Sequence, residues 1–359
     1  MATGTYTIAD LTDNAFATTT VQEFGMDRMN DAIVADLEMH NRRVNEMMGD
    51  LAQPTTERST IYGTNADSDM VIADEFTRGP TQKITRGSKV EFPLEKYQFA
   101  IGWTADYLRR ATVTDMALRQ VSARQAHLRR LQLDVKNAFF GATNYTFTDR
   151  FVDGNDLAVK RLVNADSGTI PNGPNGETFN GATHTHYDAI DWASANAAAR
   201  IAFIQGLFSD LVEHGHGADV RLYVNKAQET DIRALTPNFT ALPPPNVIQA
   251  TSNTVAVGTL DITRADNRLI GYFDGFPVYT KPWIPANYFL TFAAGDAGKP
   301  LRMRRSTVAG EQGLFIAGQI ITHPLQAQYM ETFHGFGVYT RTNGVIGYLG
   351  AGTYAVPTF

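Results

Sequence analysis

Apolar and polar positions change their period several times along the chain, and each change marks an element. Residues 1–24 keep no lasting period and are rich in Thr, which predicts an extended N-terminal arm. From Met26 onward, Met29, Ile33, Leu37, Val44, Met48 and Leu51 stay roughly on one helical face. They predict an amphipathic helix over residues 27–50, with Asp27 as N-cap and Gly49 and Pro54 as its stop. Period two then takes over. Val90, Phe92 and Leu94 alternate with polar residues, and Tyr97, Phe99, Ile101 and Trp103 alternate in the opposite parity, a slip that predicts a β-bulge near Lys96. Met70 to Phe76 is the expected antiparallel partner across the turn-rich TRGPTQKITRG, completing a long hairpin.

Residues 104–140 carry no Gly or Pro, begin with Thr104 as a cap and stop at Gly141. Leu118, Val121, Leu128, Leu131, Val135 and Phe139 supply the apolar stripe, with Arg on the remainder. One continuous helix would be roughly 55 Å long, against a radius of gyration of about 21 Å for a compact chain of this length. The alternative is two helices with a kink near Thr112–Thr114, where β-branched residues cluster. Three Asn-Gly pairs in 142–187 predict a sheet with exposed turns, and a second helix is expected over 187–213. Strand DVRLYVN follows, then a short helix at 226–235 capped by Asn225, a PPP loop at 243–245 and the strand TVAVGTLDI. RLIGYFDGFPVYTKP is a hairpin turning on Asp274-Gly275, and YFLTFAA, LRMRRS, LFIAGQIIT and YMETFHGFGVYTRTNGVIGYL read as further strands.

Composition narrows the chemistry. The 359 residues include no Cys, which removes disulfide scaffolds, cysteine-ligated clusters and cysteine nucleophiles. A net charge of −6 argues against a free-standing basic nucleic-acid binder, and no apolar run approaches the ~18 residues of a membrane span. Of the 31 basic residues 23 are Arg, which suits carboxylate pairing at interfaces, though GC-rich coding gives the same bias. GxSxG, HExxH and a phosphate-binding Gly-Lys-Ser/Thr loop are missing. His184 and His186, two apart, share a face if they lie on a strand and could grip zinc together; surface-loop histidines are the plainer expectation, as for His214 and His216. Asp149, Asp153, Asn155 and Asp156 resemble a calcium loop in composition, not in spacing. No catalytic residue, cofactor or metal is assigned.

A long hairpin and an arm cannot cover their own apolar residues, so neighbouring copies are expected to do so. The expected contacts are Met26, Ile33 and Leu37 on the helix, with Arg78, Lys83, Arg86 and Lys89 concentrating positive charge on the hairpin. The order of elements, with LIGYFDGFPVYTKPWIP, YFLTFAAG and FHGFGVYTRTNG, resembles the major capsid proteins of tailed double-stranded DNA phages, whose fold encapsulins share. That resemblance implies an α+β capsid fold: an N-terminal arm (1–56), an extended hairpin loop (57–103), a peripheral β-sheet domain with a long spine helix (104–187 and 329–359) and an axial α/β domain (188–328). It also implies self-assembly into hexamers and pentamers of an icosahedral shell that encloses genomic DNA without reading its sequence. The shell would form in the host cytoplasm, without a membrane, and would involve a portal. The short N-terminal segment implies a separate scaffolding protein, or none. An encapsulin-type compartment and, from another class, a metal-dependent enzyme using His184 and His186 remain alternatives.

Overall fold

The computed structural model describes residues 6–13, 16–64, 70–72, 74–76, 78–79, 81, 84, 86–242, 268–322 and 325–359. Its N-terminal segment is not an extended arm. It forms the short helices Ile8–Leu11 (α1) and Val21–Phe24 (α2) before the amphipathic helix Met26–Met48 (α3), which starts at Gly25 rather than on an Asp27 cap. Ile8, Leu11, Val21 and Phe24 are buried within the chain, and the Tyr6, Phe16 and Phe24 rings meet edge to face.

The spine is kinked where the β-branched residues cluster. Ala105–Arg110 (α4) ends at Ala111, whose ψ of 136° leaves the helical region, and Val113–Phe140 (α5) begins afresh, about 42 Å long. Thr112 and Asp115 form a reciprocal capping box there. The break exposes backbone groups that the N-terminal segment satisfies: Val21 N donates to Ala111 O and Val113 N to Thr19 O, each at 3.0 Å. The buried stripe of α5 includes polar Gln120 and His127, while Leu118 is exposed, contrary to expectation.

The strands in chain order begin with Ala52–Thr55 (β1), Ser59–Tyr62 (β2), Ser88–Glu91 (β3), Glu95–Thr104 (β4), Tyr145–Thr148 (β5), Asp156–Val159 (β6) and Tyr187–Ala189 (β7). They continue with Val220–Val224 (β8), Phe239–Ala241 (β9), Arg268–Phe273 (β10), Phe276–Thr280 (β11) and Tyr288–Ala293 (β12). Leu301–Arg305 (β13), Phe315–Thr322 (β14), Leu325–Val338 (β15) and Val345–Tyr348 (β16) close the chain. Among the described residues one sheet has five strands, with β15 pairing β14, β4 and β13, and β1 parallel to β13; a second has seven, ordered β7-β16-β12-β8-β11-β10-β9; β2-β3 and β5-β6 form two-stranded sheets. These memberships cross the expected division at 328/329. β13 and β14 pair with β15, whereas β16 joins the seven-stranded sheet.

Central β12 reads YFLTFA without alternation because both its faces are covered. Tyr288, Leu290 and Phe292 pack toward α5, and Phe289 and Ala293 pack toward the helix Ala197–Val212 (α6). The expected helix over 187–213 is shorter because Tyr187–Ala189 pairs with β16 and Asn196 caps α6 by accepting from Ala199 N. Asn225 caps its short helical segment and Asp274-Gly275 turns its hairpin with both φ positive, as expected. The PPP loop and TVAVGTLDI lie outside the described residues. Among those described, no helix is long and apolar enough to cross a membrane.

Candidate functional site

The hairpin loop differs from expectation in its pairing. β3 pairs with β2, Thr60 opposite Val90, where Met70–Phe76 was the expected partner. The parity slip is a change of sheet at Phe92–Leu94, after which β4 pairs with β15 for ten residues. Val90, Phe92 and Leu94 are therefore buried within the chain and form no sticky edge. The crossing is tight: a side chain at Gly335 would overlap the Pro93 carbonyl, and one at Gly337 would meet Phe92, so both positions take glycine.

Charge pins the base of this loop. Arg304 Nη1 lies 2.8 Å from Asp149 Oδ2 and also donates to Phe92 O at 2.9 Å. Arg58 reaches Asp149 at 3.3 Å and Asp153 at 2.7 Å, and its hydrogen bond holds the Asp153 carboxyl down at about 2. The calcium-like cluster is thus an arginine-neutralised corner. Glu91 accepts from Ala158 N at 2.6 Å and pairs with Lys89 at 2.5 Å. Lys89 is therefore locally matched. Arg78 and Arg86 are exposed, and Lys83 lies outside the described residues.

Beyond the pinned base, apolar side chains face solvent. Met70, Ile72 and Phe76 are 103%, 100% and 91% exposed, with Val71 and Ile84 exposed beside them in sequence. Isolated exposed apolar residues are ordinary, but a run of wholly uncovered large ones marks an interaction surface. On α3 the expected contacts divide: Met26 is 39% exposed, while Ile33 and Leu37 are buried against the chain's own α5 and N-terminal helices. The helical face that sequence reasoning offered to a neighbour is mostly used within the subunit.

The histidines are not surface-loop residues. His186 is fully buried, with Nδ1 on Gly344 O at 2.8 Å, and its ring lies 5.2 Å from that of His184 and 5.0 Å from that of His214. His184 Nε2 lies 2.9 Å from His214 Nε2 and 3.3 Å from Glu213 Oε1. Burial holds all three imidazoles below their ordinary proton affinity, His214 at about 3. The sequence reading pairs His184 with His186 but does not join His214, expected on a surface loop, or Glu213 to them; the C-terminal end of α6 delivers both. His216, two residues on, instead pairs with Asp296 at 2.6 Å and Thr342 at 2.8 Å.

No protein-family model matches the chain, and no curated protein matches it. Among solved structures, a chain described as Mycobacterium phage Patience is 19% identical, with a TM-score of 0.67 over 99% of this chain and 96% of that one. That likeness gives the two a common fold, the α+β architecture of the sequence reading. A capsid of a native GTA particle (12% identical, TM-score 0.47, covering 85% of this chain and 90% of that one) and the capsid of Myoviridae phage XM1 (12%, 0.43, 85% and 91%) are also similar.

Proposed function

We propose that this chain is the major capsid protein of a tailed double-stranded DNA phage, a structural subunit without catalytic activity that assembles with copies of itself into an icosahedral shell. The observation that carries the reading is the uncovered apolar segment around Met70, Ile72 and Phe76, set on a rigidly pinned base in a chain that shares its fold with a phage protein. A surface of that kind on a subunit is stabilised when a neighbour covers it, and heterologous contacts close into rings. Hexamers and pentamers are the units such contacts would build, with a portal and a scaffolding protein as partners. The genome would be enclosed without sequence-specific contacts, in keeping with a net charge of −6, and assembly would take place in the host cytoplasm.

Electron microscopy of the expressed full-length chain, with Ile72→Asp/Phe76→Asp as a comparison, tests this. Shells or capsomer rings from the wild type, lost in a folded variant, are expected. A wild-type chain that remains monomeric at high concentration in both low and high salt overturns the reading.

A further inference from the structure

Where the edge of the seven-stranded sheet meets the end of α6, three imidazoles converge, and a carboxylate stands beside two of them. His184, His186 and His214 each offer a ligand atom within 4.8 Å of the other two. Their ring centroids form a nearly equilateral triangle of 5.0–5.2 Å. An imidazole bound to zinc at 2.0–2.1 Å has its centroid about 3.2 Å from the metal, so two such rings at the tetrahedral angle stand about 5.2 Å apart. Glu213 Oε1 lies 3.3 Å from His184 Nε2 and 3.6 Å from His214 Nε2, close to the roughly 3.3 Å between two tetrahedral ligand atoms.

The surroundings also fit a cation. The Gly344 carbonyl takes the Nδ1 proton of His186 and so turns an Nε2 lone pair inward, the usual outer support of a metal-bound histidine. That Nε2 is buried without a hydrogen-bond partner, as is Glu213 Oε1. A fully buried imidazole lone pair left this way is costly unless something positive meets it. Backbone hydrogen bonds hold the ligands: His186 N to Val163 O at 2.7 Å, Ile346 N to His186 O at 2.8 Å and Ala165 N to His184 O at 2.9 Å. Phe179 packs on the His184 and His214 rings at 5.0 and 4.1 Å, while the His184 side chain, 21% exposed, leaves an approach from solvent. The C-terminal end of α6 adds partial negative charge.

We propose that His184, His186, His214 and Glu213 bind a divalent transition-metal ion of the zinc class in a closed, four-coordinate structural site that ties residues 184–186 to the end of α6. With Glu213 as the fourth ligand beside the three imidazoles no position stays open, so the site would hold structure rather than run chemistry. The inference does not depend on shell formation, because metal binding is read on subunits and shells alike. The test is equilibrium dialysis of the chelator-treated full-length chain against Zn²⁺ and Co²⁺. One ion per chain is expected, with visible Co²⁺ absorption of a four-coordinate site and a rise in Tm of a few degrees on adding zinc. His184→Gln and His214→Gln should weaken binding on the order of 100-fold and Glu213→Gln about tenfold, while His216→Gln leaves it unchanged. No saturable binding by folded wild-type protein, or His184→Gln and His214→Gln binding as tightly as wild type, overturns the proposal.

Discussion

Removing the Asp149 carboxylate should destabilise the subunit more than almost any other single polar change. The Asp149 side chain is wholly buried and that of Arg304 is 4% exposed, with 2.8 Å between their charged atoms. In Asp149→Ala the Arg304 guanidinium keeps its bond to Phe92 O but loses its counter-charge inside the protein. Stranding a buried charge costs about 3–5 kcal/mol. Arg58 contributes little to that figure, because its side chain is 27% exposed and keeps Asp153 at 2.7 Å; its share is about 0–1 kcal/mol. Asp149→Ala/Arg304→Met removes both charges and should cost clearly less than the two single changes added together, a coupling of about 2 kcal/mol or more. Denaturant unfolding of unassembled subunits for the four members of the cycle measures this. Costs that add within about 0.5 kcal/mol, or a loss below about 1 kcal/mol for Asp149→Ala, would refute the pairing as the anchor of the loop.

Leu131, fully buried between the spine and the sheets, should cost about 2–5 kcal/mol on truncation to Ala by denaturant unfolding, through lost transfer energy plus a cavity. Acid stability should depend on His40 and His127, whose ring nitrogens meet at 2.9 Å. Desolvation first, then neighbouring positive charge, lowers His40 from 6.5 to about 4; desolvation, then His334 and His40, lowers His127 to about 2. Both stay neutral in the fold while the unfolded chain takes up protons below pH 6.5, so their contribution is intact above 6.5 and falls as pH drops toward 4. For His40 this amounts to about 3 kcal/mol over that window, and His40→Gln should flatten the slope of stability against pH there. Arg78→Glu/Arg86→Glu should weaken assembly while leaving subunit Tm nearly unchanged, since both residues are exposed and each exposed pair contributes ~0–1 kcal/mol. Added salt should weaken wild-type assembly in the same direction by light scattering, whereas a double reversal that assembles normally at low salt would show the loop is no electrostatic contact.

Elements whose burial is decided by their own neighbours were legible in the sequence. The α3 periodicity, the Asp274-Gly275 turn and the unalternating YFLTFA each carry a local signal, and the structure follows them. Pairing between distant segments was not legible. Nothing near Val90 says that Ser59–Tyr62 will pair with its strand, or that Gly335 and Gly337 will admit its continuation beside β15. The spine's kink was visible only as an alternative, because its cause is divided: the capping box lies at Thr112, but the groups that satisfy the break come from Thr19 and Val21. Arg124 is a similar case. In sequence it lies off the apolar stripe, yet it stands 2.7 Å from buried Asp36 of α3.

The histidine cluster shows the same limit in the chemistry. A spacing of two could nominate His184 and His186, and that spacing alone is weak evidence for a metal. What raises the site above it is a third imidazole carried in by a helix end, with Glu213 beside it and a carbonyl that fixes the His186 tautomer. None of these is coded near the first pair. The hairpin tip is the opposite case. The sequence makes Met70–Phe76 the antiparallel partner strand of the hairpin, a position that would bury alternate side chains. Met70, Ile72 and Phe76 are left uncovered within the subunit, and on the proposed reading a neighbouring copy would cover them. Ile33 and Leu37 carry the same hydrophobic signal and are satisfied at home. The sequence signal specifies that a residue must be buried; only the arrangement of the rest of the chain decides whether the partner is the same molecule or the next.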